Sequence, residues 1–226
     1  MLKVNSVSIK NYLPLILIIL IVSADQIIKI YIKTHFQLGQ SIADWGILKI
    51  EFVENPGMAF GLSFDNSWSK YLLSLFRVFA VIAIGWYIIK LVKHSAHVFF
   101  ICLVSLIFSG AVGNIIDNLF YGLIFDSGTT WSPEYIRWLP YAGVSNLSFD
   151  GYGNFLNGCV VDMFHLYLPW PDWVPFDFGE EIFPPVFNLA DASISVSVFF
   201  IVIFYKKIVR KDDVELKWSK GDKEAS

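Results

Sequence analysis

The chain has 226 residues, 55% hydrophobic and 16% charged, with a mean hydropathy of +0.56 and a net charge of −3. A soluble domain carries about a quarter charged residues, so an ordinary water-soluble fold is excluded. The charge balance gives no sign of a nucleic-acid partner.

Four apolar runs account for the shortfall: 12–32, 71–89, 98–116 and 186–205. Each is near the ~20 residues that cross a bilayer core as a helix, the form that satisfies its own backbone in hydrocarbon. The expected fold class is therefore an α-helical integral membrane protein with four transmembrane helices. External loops are expected at about 33–70 and 118–185, with a charged tail at 211–226 following a membrane domain over 1–210.

The first run is interrupted by Ser23, Asp25, Gln26 and Lys29. Lys3, Lys10 and Val22-Ser23-Ala24 also suit a cleaved leader. The run continues past that site, however, three more spans follow, and no Cys follows Ala24, which argues against a lipoprotein signal. Asp25 precedes Lys29 by one helical turn, so the two can pair on one face.

Loop one alternates Leu48, Ile50 and Phe52 with Lys49 and Glu51, the period of a strand with one apolar face. A turn is expected at Asn55-Pro56-Gly57, followed by the apolar Met58–Leu62. The second span is interrupted by Ser74 and Arg77, and Lys90 and Lys93 follow it. The third span carries Ser105, Ser109 and Gly113 at four-residue spacing, a ridge of small residues that admits another helix.

Loop two is rich in Gly, Ser and Asn over 126–157, and its Trp131, Trp138, Tyr141, Trp170 and Trp173 suit a membrane interface. The tail after Arg210 is expected to lack structure. Eleven of the seventeen Lys and Arg residues fall in the N-terminal segment, the 90–93 turn and the C-terminal tail. That asymmetry puts both termini on the cytoplasmic side.

Cys102 and Cys159 are expected too far apart to bridge. Neither they nor His35, His94, His97 and His165 show metal-ligand spacing. The expected complement of metals and cofactors is none.

The acids carry the chemistry. Carboxylates close to hydrocarbon are costly, and their default reading is functional. Asp117 follows Asn114, and Asp191 follows Asn188, each by one helical turn at the end of a span. Asp162 closes Val160-Val161-Asp162 late in loop two. Asp162 and Asp191 can meet at the outer membrane boundary. Two adjacent carboxylates share one proton, so one can take a proton from water while the other donates to a carbonyl oxygen or leaving amine. The alternative is a pair of acids satisfied by Asn, Ser and backbone. Asp117 could be catalytic or could orient other groups, and its position alone does not decide.

Taken in order, Asp25, Asn55-x-Gly57-x-Ala59-Phe60, Gly113-Asn114-x-x-Asp117, Val160-Val161-Asp162 and Phe187-Asn188-x-Ala190-Asp191 resemble lipoprotein signal peptidase, the type II signal peptidase of bacteria. The resemblance covers about 12–208. It implies an inner-membrane aspartic endopeptidase with no cofactor, acting on diacylglyceryl-modified prolipoproteins just before the lipidated Cys. By this match Asp162 and Asp191 form the catalytic pair. Asn55, Gly57, Asn114 and Asn188 line the site, and Asp25, Lys29 and Asp117 support it. Loop one becomes a periplasmic β-cradle and loop two is enlarged. Membrane lipids and globomycin-type inhibitors are implied partners, and a monomer is the expectation.

Two departures stand out. The family usually has Arg where this chain has Asn118, and Arg137 or Arg77 are candidates for its role. Asp117 and Asp162 are 45 positions apart, and Asp162 and Asp191 are 29 apart, both longer than usual. A proton-coupled carrier using intramembrane acids is the main rival reading. A non-enzymatic assembly protein is third and leaves the Asn-x-x-Asp pairs unexplained.

Overall fold

The computed structural model describes residues 12–57, 67–171, 173–174 and 181–215. Four helices are long and apolar enough to cross a membrane. They are α1 (Leu13–His35), α2 (Ser67–Lys93), α3 (Val98–Ile116) and α5 (Leu189–Ile208). The protein is a multi-pass membrane protein. Ala59 and Phe60 of the second motif, and the basic N-terminal residues, lie outside the described residues.

α3 is the central helix, packing against α1, α2 and α5. Its ridge of small residues explains this. A Cβ on Gly110 would lie 2.3 Å from the Ala190 carbonyl oxygen, and one on Gly113 would lie 2.6 Å from Asp25 Oδ2. Ser105 and Ser109 are buried and turn their hydroxyls back onto the Ile101 and Ser105 carbonyls, so neither brings an unpaired polar group to the interface. At the far end, Leu91, Phe100, Ile101, Val104 and Ile208 form a hydrophobic core. Outward residues such as Leu72, Phe76 and Val202 are 70%, 69% and 70% exposed, as a helix with a lipid-facing side requires.

α3 does not stop at Ile116. It widens into a π-helical turn over Asp117–Tyr121 and ends as the single turn α4 (Gly122–Ile124). Such bulges occur frequently at functional sites. The fourth helix starts later than the apolar run suggests, because Val186–Phe187 form a short strand and Asn188 caps the helix.

A four-stranded sheet covers this end of the bundle in the order β1-β2-β5-β6: Ser41–Asp44, Leu48–Asn55, Val160–Leu166 and Val186–Phe187. The alternation read from loop one holds, with Phe52 fully buried. The same face also carries Glu54, buried and paired with Lys33 of α1. β5 pairs antiparallel with β2, placing Asp162 opposite Val53.

The described part of loop two is folded onto the bundle. Its hairpin β3 (Thr130–Ser132) and β4 (Arg137–Leu139) sets Trp131 edge-to-face against Trp138, centroids 5.6 Å apart. Trp138 and Tyr141, expected at a membrane interface, sit over the buried ammonium groups of Lys70 and Lys33. Gly158 runs so close beneath α3 that a Cβ there would lie 1.9 Å from the Asp117 carbonyl oxygen. The expectation of an unstructured tail fails at its start. Residues 211–215 form the short helix α6, whose buried Asp213 accepts a hydrogen bond from the Arg210 amide at 2.9 Å. Arg210 in turn donates to the Ser95 carbonyl in the α2–α3 turn.

Candidate active site

The site is built where α1, α3 and α5 meet β5. α1 supplies Asp25, Gln26 and Lys29 from adjacent turns. Lys29 is fully buried and uses three donor directions: Asp25 Oδ2 at 3.0 Å, Asp117 Oδ2 at 2.8 Å and Asn114 Oδ1 at 2.9 Å. A buried ammonium is tolerated only when its charge and protons are met in this way.

Asp117 also accepts from Gln26 Nε2 at 2.9 Å and from the Val161 amide at 3.2 Å. Asp25 accepts from the Ala190 amide at 3.0 Å, at the N-terminal turn of α5 where helix dipoles favour an anion. Both acids are buried and their oxygens occupied, so they lock three helices and a strand into one register. Asp25–Lys29 pairing agrees with the sequence reading.

The other two acids are joined differently. Asn188 caps α5: its Oδ1 accepts from the Asp191 amide at 2.9 Å, and Asp191 Oδ2 accepts from the Asn188 amide at 3.3 Å. The Asn188 amide nitrogen Nδ2 donates to Asp162 Oδ1 at 2.6 Å and lies 3.0 Å from Asn114 Oδ1. Asn114 Nδ2 donates to Asp191 Oδ1 at 2.7 Å. Two asparagines thus bridge the Asp162 and Asp191 carboxyls and fix their mutual orientation. Asn55 also hydrogen-bonds Asp162. Gly57 lets the chain turn there, at φ +103°, and donates its amide to Asn55 Oδ1 at 2.9 Å.

Burial pushes the Asp162 carboxyl up to about 8, with the nearby Asp191 charge adding to the rise. Lys29 and the hydrogen bonds from Asn188 and Asn55 oppose it. Asp191 is half-buried and less enclosed than Asp162. The structure therefore presents two coupled carboxyls of unequal burial at one end of an apolar bundle. One can hold a proton at neutral pH while the other faces an approaching molecule.

The sequence reading missed several members. Gln26 holds Asp117 and takes a hydrogen bond from Tyr121 at 3.1 Å; its signal was a polar stripe at 25, 26, 29 and 33. Glu54 pairs with Lys33 and accepts from the Thr129 amide at 2.7 Å, tying loop two to the sheet. Of the two candidate arginines, Arg137 is exposed on β4 against the Tyr135 ring, whereas Arg77 lies within electrostatic reach of Asp191 and Asp162. Cys102 and Cys159 are both free. Burial raises the Cys159 thiol to about 11, which leaves it unreactive. Among the described residues, no group of His, Cys, Asp and Glu is arranged to hold a metal.

Residues 17–207 match the family model for signal peptidase (SPase) II. A lipoprotein signal peptidase of Porphyromonas gingivalis is 42% identical over 201 residues, covering 85% of this chain and 82% of that protein. One of Amoebophilus asiaticus is 33% identical over 82% of this chain and 74% of its own length. A bacterial membrane enzyme solved by the in meso method at 1.9 Å shares the fold with a TM-score of 0.53 at 23% identity, over 87% of this chain and 94% of that one.

Proposed function

Since the chain belongs to the signal peptidase II family, a family of membrane proteases, we propose that it removes the signal peptide from diacylglyceryl-modified prolipoproteins, with Asp162 and Asp191 as the catalytic pair. The observation that carries this reading is the asparagine bridge that holds the two carboxyls together at one end of the bundle.

A lipid-anchored substrate arrives laterally with its cleavage site at the membrane surface, the depth of these helix ends. The sheet holds the peptide beside the pair. Asp191 takes a proton from water as the water oxygen attacks the scissile carbonyl carbon. Asp162, kept protonated by its burial, donates to the carbonyl oxygen. The tetrahedral intermediate then collapses, the C–N bond breaks, and the amine of the lipidated Cys leaves with a proton returned from the pair. Asn55, Asn114 and Asn188 hold the acids and substrate backbone, while Asp25, Lys29 and Asp117 hold the helices that carry them.

In this reading the protein sits in the bacterial inner membrane with both termini cytoplasmic and the site at the periplasmic face, as a monomer among lipids. Globomycin-type cyclic peptides would compete for the same groove. A proton-coupled carrier finds no support, because the acids gather at one end of the bundle instead of lining a path through it.

The test is cleavage of a diacylglyceryl-modified prolipoprotein by purified Asp162→Asn and Asp191→Asn variants. Both should lose activity while remaining folded in the membrane, and normal processing by either would falsify the pair.

A further inference from the structure

Arg77 is the one basic residue between Lys70 and Lys90 on α2, in the middle of an apolar run. A cation at this depth is costly and needs a reason. Its Nη1 is fully removed from solvent and has no hydrogen-bond partner among the described residues. The burial of the guanidinium is opposed by attraction to three acids: Asp191 first, then Asp162, then Asp117. The direction of the side chain agrees. Cα–Cβ bonds tilt toward a helix's N-terminus, and the N-terminal end of α2 is the end where the sheet and the acids lie.

Two neighbouring groups are already committed. Lys29 is saturated by Asp25, Asp117 and Asn114. Asn118, directly after Asp117, is fully buried and folds back to donate to the Asn114 carbonyl at 2.7 Å. Arg77 therefore lies within electrostatic reach of the acid pair and carries a buried Nη1 that meets no acceptor among the described residues. A buried, unpaired guanidinium N–H is a strong donor lacking an acceptor. The molecule expected in the cleft, an extended peptide, is a row of carbonyl acceptors.

We propose that Arg77 is a substrate-binding residue of this site, donating through Nη1 to a main-chain carbonyl of the signal-peptide segment beside the scissile bond. This rests on the peptidase reading above. Attraction to Asp191 and Asp162 holds the guanidinium at this end of the bundle when no peptide is bound. The groups facing the pair are then Arg77 from α2, Lys29 and Asp25 from α1, Asp117 from α3, and the neutral Asn55, Asn114 and Asn188.

The test compares wild type with Arg77→Met, Arg77→Gln and Arg77→Lys on a lipidated prolipopeptide in detergent micelles, measuring KM, kcat and the thermal transition. Arg77→Met and Arg77→Gln should raise KM about ten- to a hundredfold, the size of one charge-assisted hydrogen bond, with the thermal transition unchanged or raised. Arg77→Lys should recover part of the loss. Unchanged KM in Arg77→Met, or a transition that drops in Arg77→Met and recovers in Arg77→Met/Asp191→Asn, would make the arginine a structural counter-charge and overturn the proposal. A wild-type protein that cleaves while these variants match it sinks the Arg77 assignment alone. A wild-type protein that does not cleave sinks the peptidase reading as well.

Discussion

Lys29→Met is the sharpest probe of how this site is held. The methionine keeps the length and apolar body of the lysine and removes only the ammonium. The structure shows what is lost: contacts of 3.0 Å to Asp25, 2.8 Å to Asp117 and 2.9 Å to Asn114. Removing one partner of a buried pair costs ~3–5 kcal/mol, because the remaining charge is stranded. Two carboxylates are stranded here, partly relieved by the Ala190 amide on Asp25 and by Gln26 and the Val161 amide on Asp117. The lower part of that range, ~3–4 kcal/mol, is therefore expected. For a chain of this size it lowers the thermal midpoint by roughly 6–16 °C, at ~2–4 °C per kcal/mol. A thiol-reactive fluorophore suits the assay, since Cys159 is 1% exposed in the fold and reacts once it opens. The triple variant Lys29→Met/Asp25→Asn/Asp117→Asn removes the stranded charges and should regain most of the loss. A midpoint within ~2 °C of wild type for Lys29→Met, or no recovery in the triple variant, would refute the account of a charge-balanced buried network.

Two further outcomes follow from the same geometry. Activity should fall as pH rises through about 8, where Asp162 gives up its proton; a rate that is flat or rising from pH 7 to 9.5 would contradict its role as the acid. The sign for stability is the same. The folded carboxyl titrates near 8 against an ordinary 3.8, so its stabilising contribution is full below the unfolded value and is lost as pH rises through the folded one. Asn188 separates capping from chemistry. Both variants leave the buried acceptors of Nδ2 unmet, but Asn188→Ser keeps a capping oxygen and should be the milder, since Asn188→Ala also loses the cap for a further ~1 kcal/mol. Both lose the bridge to Asp162, so both should lose at least tenfold in kcat; a serine variant with wild-type turnover would show the bridge to be dispensable.

The asparagine motifs show what was legible and what was not. In the sequence, Asn114 belongs with Asp117 and Asn188 with Asp191, each pair one helical turn apart. In the fold, Asn188 does cap Asp191, because a capping box is local. Asn114, however, donates across to Asp191 on another helix, and Asp117 turns instead to Lys29, Gln26 and the Val161 amide. Periodicity reports which side of a helix a residue occupies, but not which helix lies opposite.

By itself the sequence determined the elements that depend on short-range chemistry. Runs of ~20 apolar residues must be helices in hydrocarbon, alternation in loop one must be a strand, and Asp25 must meet Lys29 one turn away. The order of the acid and asparagine motifs, through its resemblance to lipoprotein signal peptidase, also implied Asp162 and Asp191 as the pair. Only the tertiary structure decided the partners. The close approach at Gly110 and Gly113 sets α3 against α5 and α1, and the pairing of β2 with β5 carries Asp162 to the same end. The inserted loop became an ordered layer because Lys33, Lys70 and Glu54 are buried beneath it, each needing partners that the loop's carbonyls, amides and aromatic rings supply. Those contacts join residues up to 108 positions apart, a separation over which no local pattern carries information.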